Sequence, residues 1–277
     1  MKKMKDIGEH NAIIALTANL KAVGDDCAVL PLDDRYDLIL TSDPLIENIH
    51  FTAETTPEQI GHKAVCRVLS DFAAMGAEPQ YLVINVVASP EQDFQTLEKI
   101  YAEFSNLWKK YGVEVVGGDL AQGPALELHV FGVGRVPKGT ALLRSGAKPG
   151  DHIYVTGPLG CAQKSGKQFS FEPRLEWGKM LRESGAVTSM MDISDGLATD
   201  LRHILKASGV GAELDSTRIP MVGNLEQALY DGEDFELLFT SSETFDFPMI
   251  GKITSNAGEL LLDGKPLTDK AFEHFRK

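Results

Sequence analysis

Between Val136 and Asp151 the regular run of apolar strands and amphipathic helices breaks into turn formers. These are Val136-Pro137-Lys138-Gly139, then Arg144-Ser145-Gly146-Ala147-Lys148-Pro149-Gly150-Asp151. Proline withholds a backbone donor and glycine adopts turn geometries without steric cost, so a helix or central strand does not continue through such a stretch. The break divides the chain at 1–137 and 138–277, and 277 residues suffice for two domains with separate cores.

Before the break, the apolar spacing predicts a helix over 7–20, whose apolar face is Ile7, Ile13, Ile14, Leu16 and Leu20. Short strands are expected at 27–32 and 37–42. Pro57 to Met75 reads as a long helix, with Ile60, Ala64, Val68 and Phe72 on one face and Gly76 as its stop. Strands at 81–88, 113–116 and 126–136 and a helix at 91–111 complete this half. After the break, strands are expected at 152–156, 210–214, 235–240, 249–253 and 260–262, with helices near 173–183 and 195–208. Strands and helices mix without strict alternation, which predicts an α+β fold rather than a doubly wound sheet.

Composition narrows the function. The net charge of -13 argues against nucleic acid, whose phosphate backbone calls for clustered Lys and Arg. No apolar run approaches the roughly 20 residues of a membrane span. The basic start Met1-Lys2-Lys3-Met4-Lys5 is not followed by the apolar stretch of a secretory signal. Cys27, Cys66 and Cys161 are odd in number and scattered, without a CxxC pair, which predicts a reducing, cytoplasmic setting rather than a disulfide framework or zinc site.

Five segments share one design: Gly24-Asp25-Asp26, Thr41-Ser42-Asp43, Ser70-Asp71, Gly117-Gly118-Asp119 and Asp192-Ile193-Ser194-Asp195-Gly196. In four of them an Asp is expected where a strand meets a turn or helix, and Asp71 is expected inside its helix. Glycine lets backbone approach a ligand closely, and the neighbouring hydroxyls add hard oxygen donors. Two carboxylates about 5 Å apart repel by roughly 3 kcal/mol at an effective dielectric of 20, so a converged set needs cations. Hard oxygens select magnesium or calcium, and carboxylate-held magnesium commonly also binds substrate phosphates. A phosphoryl-transfer site is one reading. The other is that each Asp is an ordinary turn former or helix cap, as Asp195 directly before a helix could be.

Common nucleotide motifs are absent. Gly160 to Gln168 has one residue too many between its glycines and ends in Gln, so it is not a Walker A loop. Gly132-Val133-Gly134-Arg135-Val136-Pro137 lacks the last glycine of a dinucleotide fingerprint.

The acidic segments, read with their neighbours, resemble the thiamine-monophosphate kinase family. That family lies within a superfamily of ATP-binding enzymes that includes aminoimidazole ribonucleotide synthetase and selenophosphate synthetase. The resemblance rests on Gly24-Asp25-Asp26-Cys27-Ala28-Val29-Leu30, Thr41-Ser42-Asp43 through His50-Phe51, and Leu69-Ser70-Asp71-Phe72-Ala73-Ala74-Met75-Gly76-Ala77. It continues with Val116-Gly117-Gly118-Asp119, Leu143-Arg144-Ser145-Gly146-Ala147, Tyr154-Val155-Thr156-Gly157, Met191 through Leu197, and Gly232-Glu233-Asp234-Phe235-Glu236-Leu237. These blocks follow family order and span most of the chain.

The resemblance implies a two-domain fold like aminoimidazole ribonucleotide synthetase: an N-terminal mixed sheet with helices and a C-terminal α/β domain closing over the nucleotide. It implies transfer of the ATP γ-phosphate to thiamine monophosphate, with several Mg2+ ions, in a cytoplasmic homodimer. Carried onto matching positions, Asp26, Thr41, Ser42, Asp43, Asp71, Asp119, Asp192 and Asp195 would hold metal. Gly118, Asp119, Arg144 and Ser194, with Tyr101 beside them, would contact ATP. His50 and Glu233 would contact thiamine monophosphate, and Asp43, Asp119 and Arg144 would carry catalysis. A related phosphotransferase with another acceptor, or a non-catalytic nucleotide-binding protein, are the alternatives.

The chain departs from the family pattern in five places. It is shorter after Gly160 and after Thr240. Leu120-Ala121-Gln122-Gly123 stands where two threonines, an arginine and a glycine are usual. Asp231 replaces a glycine. The aromatic expected against the substrate near the C-terminus has only Asp269-Lys270-Ala271-Phe272 as a counterpart.

Overall fold

The computed structural model describes residues 3–20, 23–268 and 275. Its contacts gather into two compact units: Asp26–Leu142 with Gly166–Gly185, and Met1–Asp25 with Leu143–Ser165 and Ala186–Lys277. The second unit begins with the short helices α1 (Met4–Ile7) and α2 (Glu9–Thr17). Where one amphipathic helix is expected over 7–20, Gly8 separates two. Ile13, Ile14 and Leu16 remain 50, 51 and 78% exposed rather than in a closed core.

The first unit holds a five-stranded sheet, made from β1 (Ala28–Pro31), β2 (Tyr36–Ile46), β3 (Glu78–Ala88), β4 (Glu114–Gln122) and β5 (Glu127–Pro137). Its spatial order is β1-β2-β5-β3-β4, antiparallel except for the β3–β4 pair. Helices α3 (Pro57–Ala74) and α4 (Phe94–Tyr111) belong to this unit. Residues 82, 84, 86 and 88 of β3 and 128, 130, 132, 134 and 136 of β5 are buried, while their alternate neighbours stay partly or wholly exposed. One face of this sheet is therefore core, and the other is open.

Helix α3 starts where the sequence predicts, because Thr56 and Gln59 form a reciprocal capping box ahead of Pro57. It is buried on most sides, between the sheet, α4 and a segment from later in the chain. That segment carries α6 (Leu175–Ser184), which follows the single-turn α5 (Ala162–Ser165) of the other unit. Gly178 of α6 allows the contact with α3: a Cβ there would lie 2.1 Å from the Ala73 carbonyl oxygen.

Two strands run further than the sequence suggests. β2 reaches Ile46 instead of stopping near 42, and β4 reaches Gln122 instead of 116. Asp43 and Asp119 consequently lie inside strands, not at strand ends. Pro44 is tolerated because β1 pairs β2 only over 37–40, leaving the far part of β2 an edge with no donor required.

The second unit holds a seven-stranded sheet: β6 (His152–Val155), β7 (Val187–Asp192), β8 (Gly211–Leu214), β9 (Leu237–Ser241), β10 (Met249–Thr254), β11 (Leu260–Leu262) and β12 (Lys265–Pro266). Their order is β12-β11-β8-β10-β6-β9-β7. Helix α7 (Leu197–Ser208) buries Leu197, Leu201, Ile204 and Leu205 in a core shared with Ile153, Val155, Leu238 and Ile250. A short α8 (Leu225–Tyr230) is capped by Asn224.

The apolar pattern does not announce β7, because Thr188 and Ser189 interrupt it. Tertiary pairing satisfies both hydroxyls through Thr240 on β9, at 2.6 and 2.7 Å. Among the described residues, no helix is long and apolar enough to cross a membrane.

Candidate active site

In the first unit, the candidate residues gather along β2. Pairing partners share a face of the sheet. Thr41, Asp43 and Leu45 register with Gly132, Val130 and Leu128, on the buried, α3-facing side. The Thr41 hydroxyl donates to Asp71 Oδ2 on α3. Arg67, one helical turn before Asp71, donates to the Pro44 carbonyl at 3.1 Å, and its guanidinium lies 3.5 Å from Asp43. Ser42 faces the other way and is exposed. Asp26 lies two residues before β1 begins to pair with β2.

A turn at the end of β2 presents His50. Its N–H donates to the Ile46 carbonyl at 2.9 Å, and the Ile46 N–H donates to His50 Nδ1 at 3.0 Å. An accepting Nδ1 leaves the proton of the neutral ring on Nε2, the atom that can donate to a phosphate oxygen. Asn48, at φ 64°, makes the turn possible, as asparagine tolerates this region better than most residues.

Asp119 stands apart from this group. The registers Asp119–Asn85–His129–Pro44 set it level with β2 but three strands away, about 14 Å at ordinary strand spacing. They also put it on the face opposite Asp43. Within this unit the structure brings Thr41, Asp43 and Asp71 to one end of α3, and it does not bring Asp119 to them.

Gly118 has a structural role whatever it binds: a Cβ there would lie 1.9 Å from the Ile84 carbonyl oxygen. Tyr101 lies on α4, 46% exposed, with its ring edge against Phe104. Together with Val86, Phe94, Leu97 and Leu120 it lines an apolar hollow of about 280 Å³ beside the β4 edge.

In the second unit, Asp192, Ser194 and Asp195 occupy the β7–α7 connection. Asp195 is not the helix cap: α7 starts after Gly196 and has no side-chain cap of that kind. The bracing comes from Asp200, which the sequence reading passed over. Its Oδ2 accepts from the backbone N–H groups of Ser194, Asp195 and Gly196 at 3.0, 3.1 and 3.1 Å. Burial pushes the Asp200 carboxyl well above its usual range, with the charges of Asp195 and Asp192 adding to the shift and the Asp195 N–H and Arg144 opposing it. An acidic residue one turn into a helix after a Ser-Asp-Gly connection was the available signal.

Residues 232–235 run alongside the same connection. The Glu233 N–H donates to the Ser194 carbonyl at 2.7 Å, and the Phe235 N–H to that of Ile193 at 2.8 Å. Glu233 and Phe235 hold φ values of 69° and 51°, a costly conformation for side-chain-bearing residues. Buried Asp234 accepts the Gly160 N–H at 2.8 Å, and buried Glu236 accepts the Thr156 hydroxyl at 2.8 Å. These two carboxylates anchor the loop, so Ser194 and Glu233 are brought together.

Arg144 is set from two sides: its N–H donates to Asp25 at 2.7 Å, and its carbonyl accepts from Ser208. With His203 and Lys206 it lines a hollow of about 510 Å³ that also includes Asp195 and the Ile13–Ile14 face of α2. Asp269-Lys270-Ala271-Phe272 lies outside the described residues.

The donors of both units are carboxylates and hydroxyls, the hard-oxygen set that magnesium takes, so the residues present fit that ion. Among the described residues, no three His, Cys, Asp or Glu side chains come close enough to hold a metal unaided. Magnesium commonly takes one or two carboxylates and completes its shell with phosphate and water.

Residues 24–136 match the N-terminal domain of AIR synthase related proteins, and residues 148–250 match the C-terminal domain. The class is thus the two-domain AIR synthase-like fold. Thiamine-monophosphate kinase of Escherichia coli K12 is 34% identical, covering 91% of each chain, and that of Methanospirillum hungatei is 38% identical, covering 90% of this chain and 92% of the relative. The solved structure of AaThiL complexed with AMPPCP and TMP is similar at a TM-score of 0.91 and 28% identity, over 99% of each chain. The chain belongs to the thiamine-monophosphate kinase family.

Proposed function

We propose that this chain transfers the γ-phosphate of ATP to thiamine monophosphate, giving thiamine diphosphate and ADP, with Mg2+ ions bound. The observation that carries this reading is the joint arrangement of Thr41, Asp43, Asp71 and His50 on and beside β2 in a chain of this family. In this reading an oxygen of the acceptor phosphate attacks the terminal phosphorus of ATP. A phosphorus–oxygen bond forms as the bridging bond to ADP breaks, without a covalent enzyme intermediate. A phosphate monoester is already nucleophilic near neutral pH, so His50 holds it through Nε2 rather than removing a proton. Arg144 offers a planar fork to ATP phosphates, with His203 and Lys206 adding positive charge in the same hollow. Bound magnesium would screen the polyphosphate from the carboxylates of Asp26, Asp43, Asp71, Asp119, Asp192 and Asp195 and offset charge developing in transfer. Gly118, Asp119 and Ser194 complete the ATP contacts, the Tyr101 hollow takes the flat purine, and Glu233 contacts thiamine monophosphate.

The working form is a homodimer. Asp119 lies on an edge strand beside exposed Val116 and Leu120, and the open face of the same sheet exposes Tyr81 and Phe131. Apolar surface of this kind on an open sheet is what a second copy covers. Since Asp119 and Asp43 lie on opposite faces within one chain, a partner copy is the source from which an Asp119 could reach the β2 group. The cytoplasm is the proposed compartment, supported by three buried cysteines that form no disulfide.

Purified protein with ATP, Mg2+ and thiamine monophosphate should form thiamine diphosphate, and a chelator should abolish it. Nucleotide binding without product would refute transfer to this acceptor. A panel of other phosphate acceptors would then separate a different kinase from a non-catalytic binder.

A further inference from the structure

Helix α3 carries Lys63, Arg67 and Asp71 at successive four-residue steps, hence on one face. Each touches β2 or the turn that follows it. Asp71 receives the Thr41 hydroxyl, Arg67 grips the Pro44 carbonyl, and Lys63 Nζ donates to the His50 carbonyl at 3.0 Å. Lys63 is 0% exposed. Its ammonium also donates to Gln168 Oε1 at 2.5 Å and sits 5.1 Å from the centre of the Phe169 ring.

A buried ammonium is costly, and an apolar side chain of similar length would fill the space without that cost. Such a side chain could not hold a carbonyl of the His50 turn and an amide of the later Gly166–Ser170 stretch from a single atom. His50 is thereby fixed at three points: its N–H on the Ile46 carbonyl, its carbonyl by Lys63 and its ring by the Ile46 N–H. Fixing both backbone and ring sets the direction in which Nε2 points.

We infer that Lys63 is a positioning residue for the acceptor end of the site, its buried ammonium locking the His50 turn against the Gly166–Ser170 segment. The inference rests on the proposed role of His50 in holding the phosphate of thiamine monophosphate. Orientation errors of an ångström at a reacting group are expensive in rate, whereas ATP held elsewhere is indifferent to this turn.

The test uses Lys63→Met and Gln168→Leu in the full chain. Three measurements apply: separate KM values for ATP and thiamine monophosphate, calorimetric binding of thiamine monophosphate, and the imidazole nitrogen NMR of His50. Lys63→Met should raise KM and Kd for thiamine monophosphate by about tenfold or more, with the ATP KM nearly unchanged. Gln168→Leu should give a smaller rise for the same substrate. In both, the single Nε2–H tautomer of His50 should give way to averaging. A lysine that only stabilises the fold would lower the melting temperature and leave both KM values alone, which overturns the inference. If Lys63→Met does not fold, an unchanged acceptor KM in folded Gln168→Leu overturns it equally. If the wild-type chain binds no thiamine monophosphate, the functional reading fails. The His50 spectrum then decides the positioning role by itself, an unchanged ring in the folded variants refuting it.

Discussion

Asp200 is the clearest place to test whether the β7–α7 connection is held as described. Replacing it with Ala removes the single oxygen that accepts three backbone N–H groups and leaves them in an environment where the side chain was 1% exposed. At roughly 1 kcal/mol for each lost bond the cost is about 3 kcal/mol, and it rises if water cannot reach the orphaned donors. For a protein of this size, about 2–4 °C is lost per kcal/mol, so Asp200→Ala should melt about 6–12 °C lower. Asp200→Asn is the informative partner. Burial favours the neutral acid, and an amide oxygen can accept the same three bonds, so Asn should melt close to wild type. Differential scanning fluorimetry with and without an ATP analogue reads both stability and the state of the connection, since Ser194 and Asp195 would lose their alignment in Ala but not in Asn. Equal damage from Asn and Ala would show that the charge, not the acceptor geometry, holds the segment. An Ala variant as stable as wild type would refute the bracing role altogether.

Three further outcomes follow from the geometry. Asp43→Asn and Asp119→Asn should each lower turnover by orders of magnitude in a correctly folded protein. If the two act across a dimer, mixing the inactive chains should recover about a quarter of wild-type activity, and no recovery after subunit exchange would count against the shared site. Gly118→Ala places a Cβ on the Ile84 carbonyl and should disrupt β3–β4 pairing, seen as a lower melting temperature and faster amide exchange in β4. Finally, Cys27, Cys66 and Cys161 are buried and in no disulfide, and burial pushes the Cys66 thiol far above its usual range. A thiol reagent near pH 8 should therefore label the native chain slowly and the unfolded chain at three sites; rapid native labelling of Cys66 would contradict its burial.

Local chemistry decided much of what the sequence alone made readable. Helix α3 was legible because its start and stop are written into neighbouring residues: Thr56 with Gln59 closes one end and Gly76 the other. The stop of α4 is written similarly in Gly112, whereas its start falls at Phe94 behind the Asp93 cap, three residues past the expected 91. The acidic blocks, in family order, pointed to phosphate chemistry before any distance was known.

Tertiary structure decided which of those residues are neighbours. Nothing local places Asp119 three strands from Asp43 and on the opposite face, because strand order is set by pairing between distant segments, and one residue of register reverses every side chain. The return of 166–185 to the first unit and the burial of Lys63 depend likewise on partners dozens of residues away. Short-range propensity determines what each segment can be. Long-range packing determines what each side chain touches, and for this protein the site is a matter of touch.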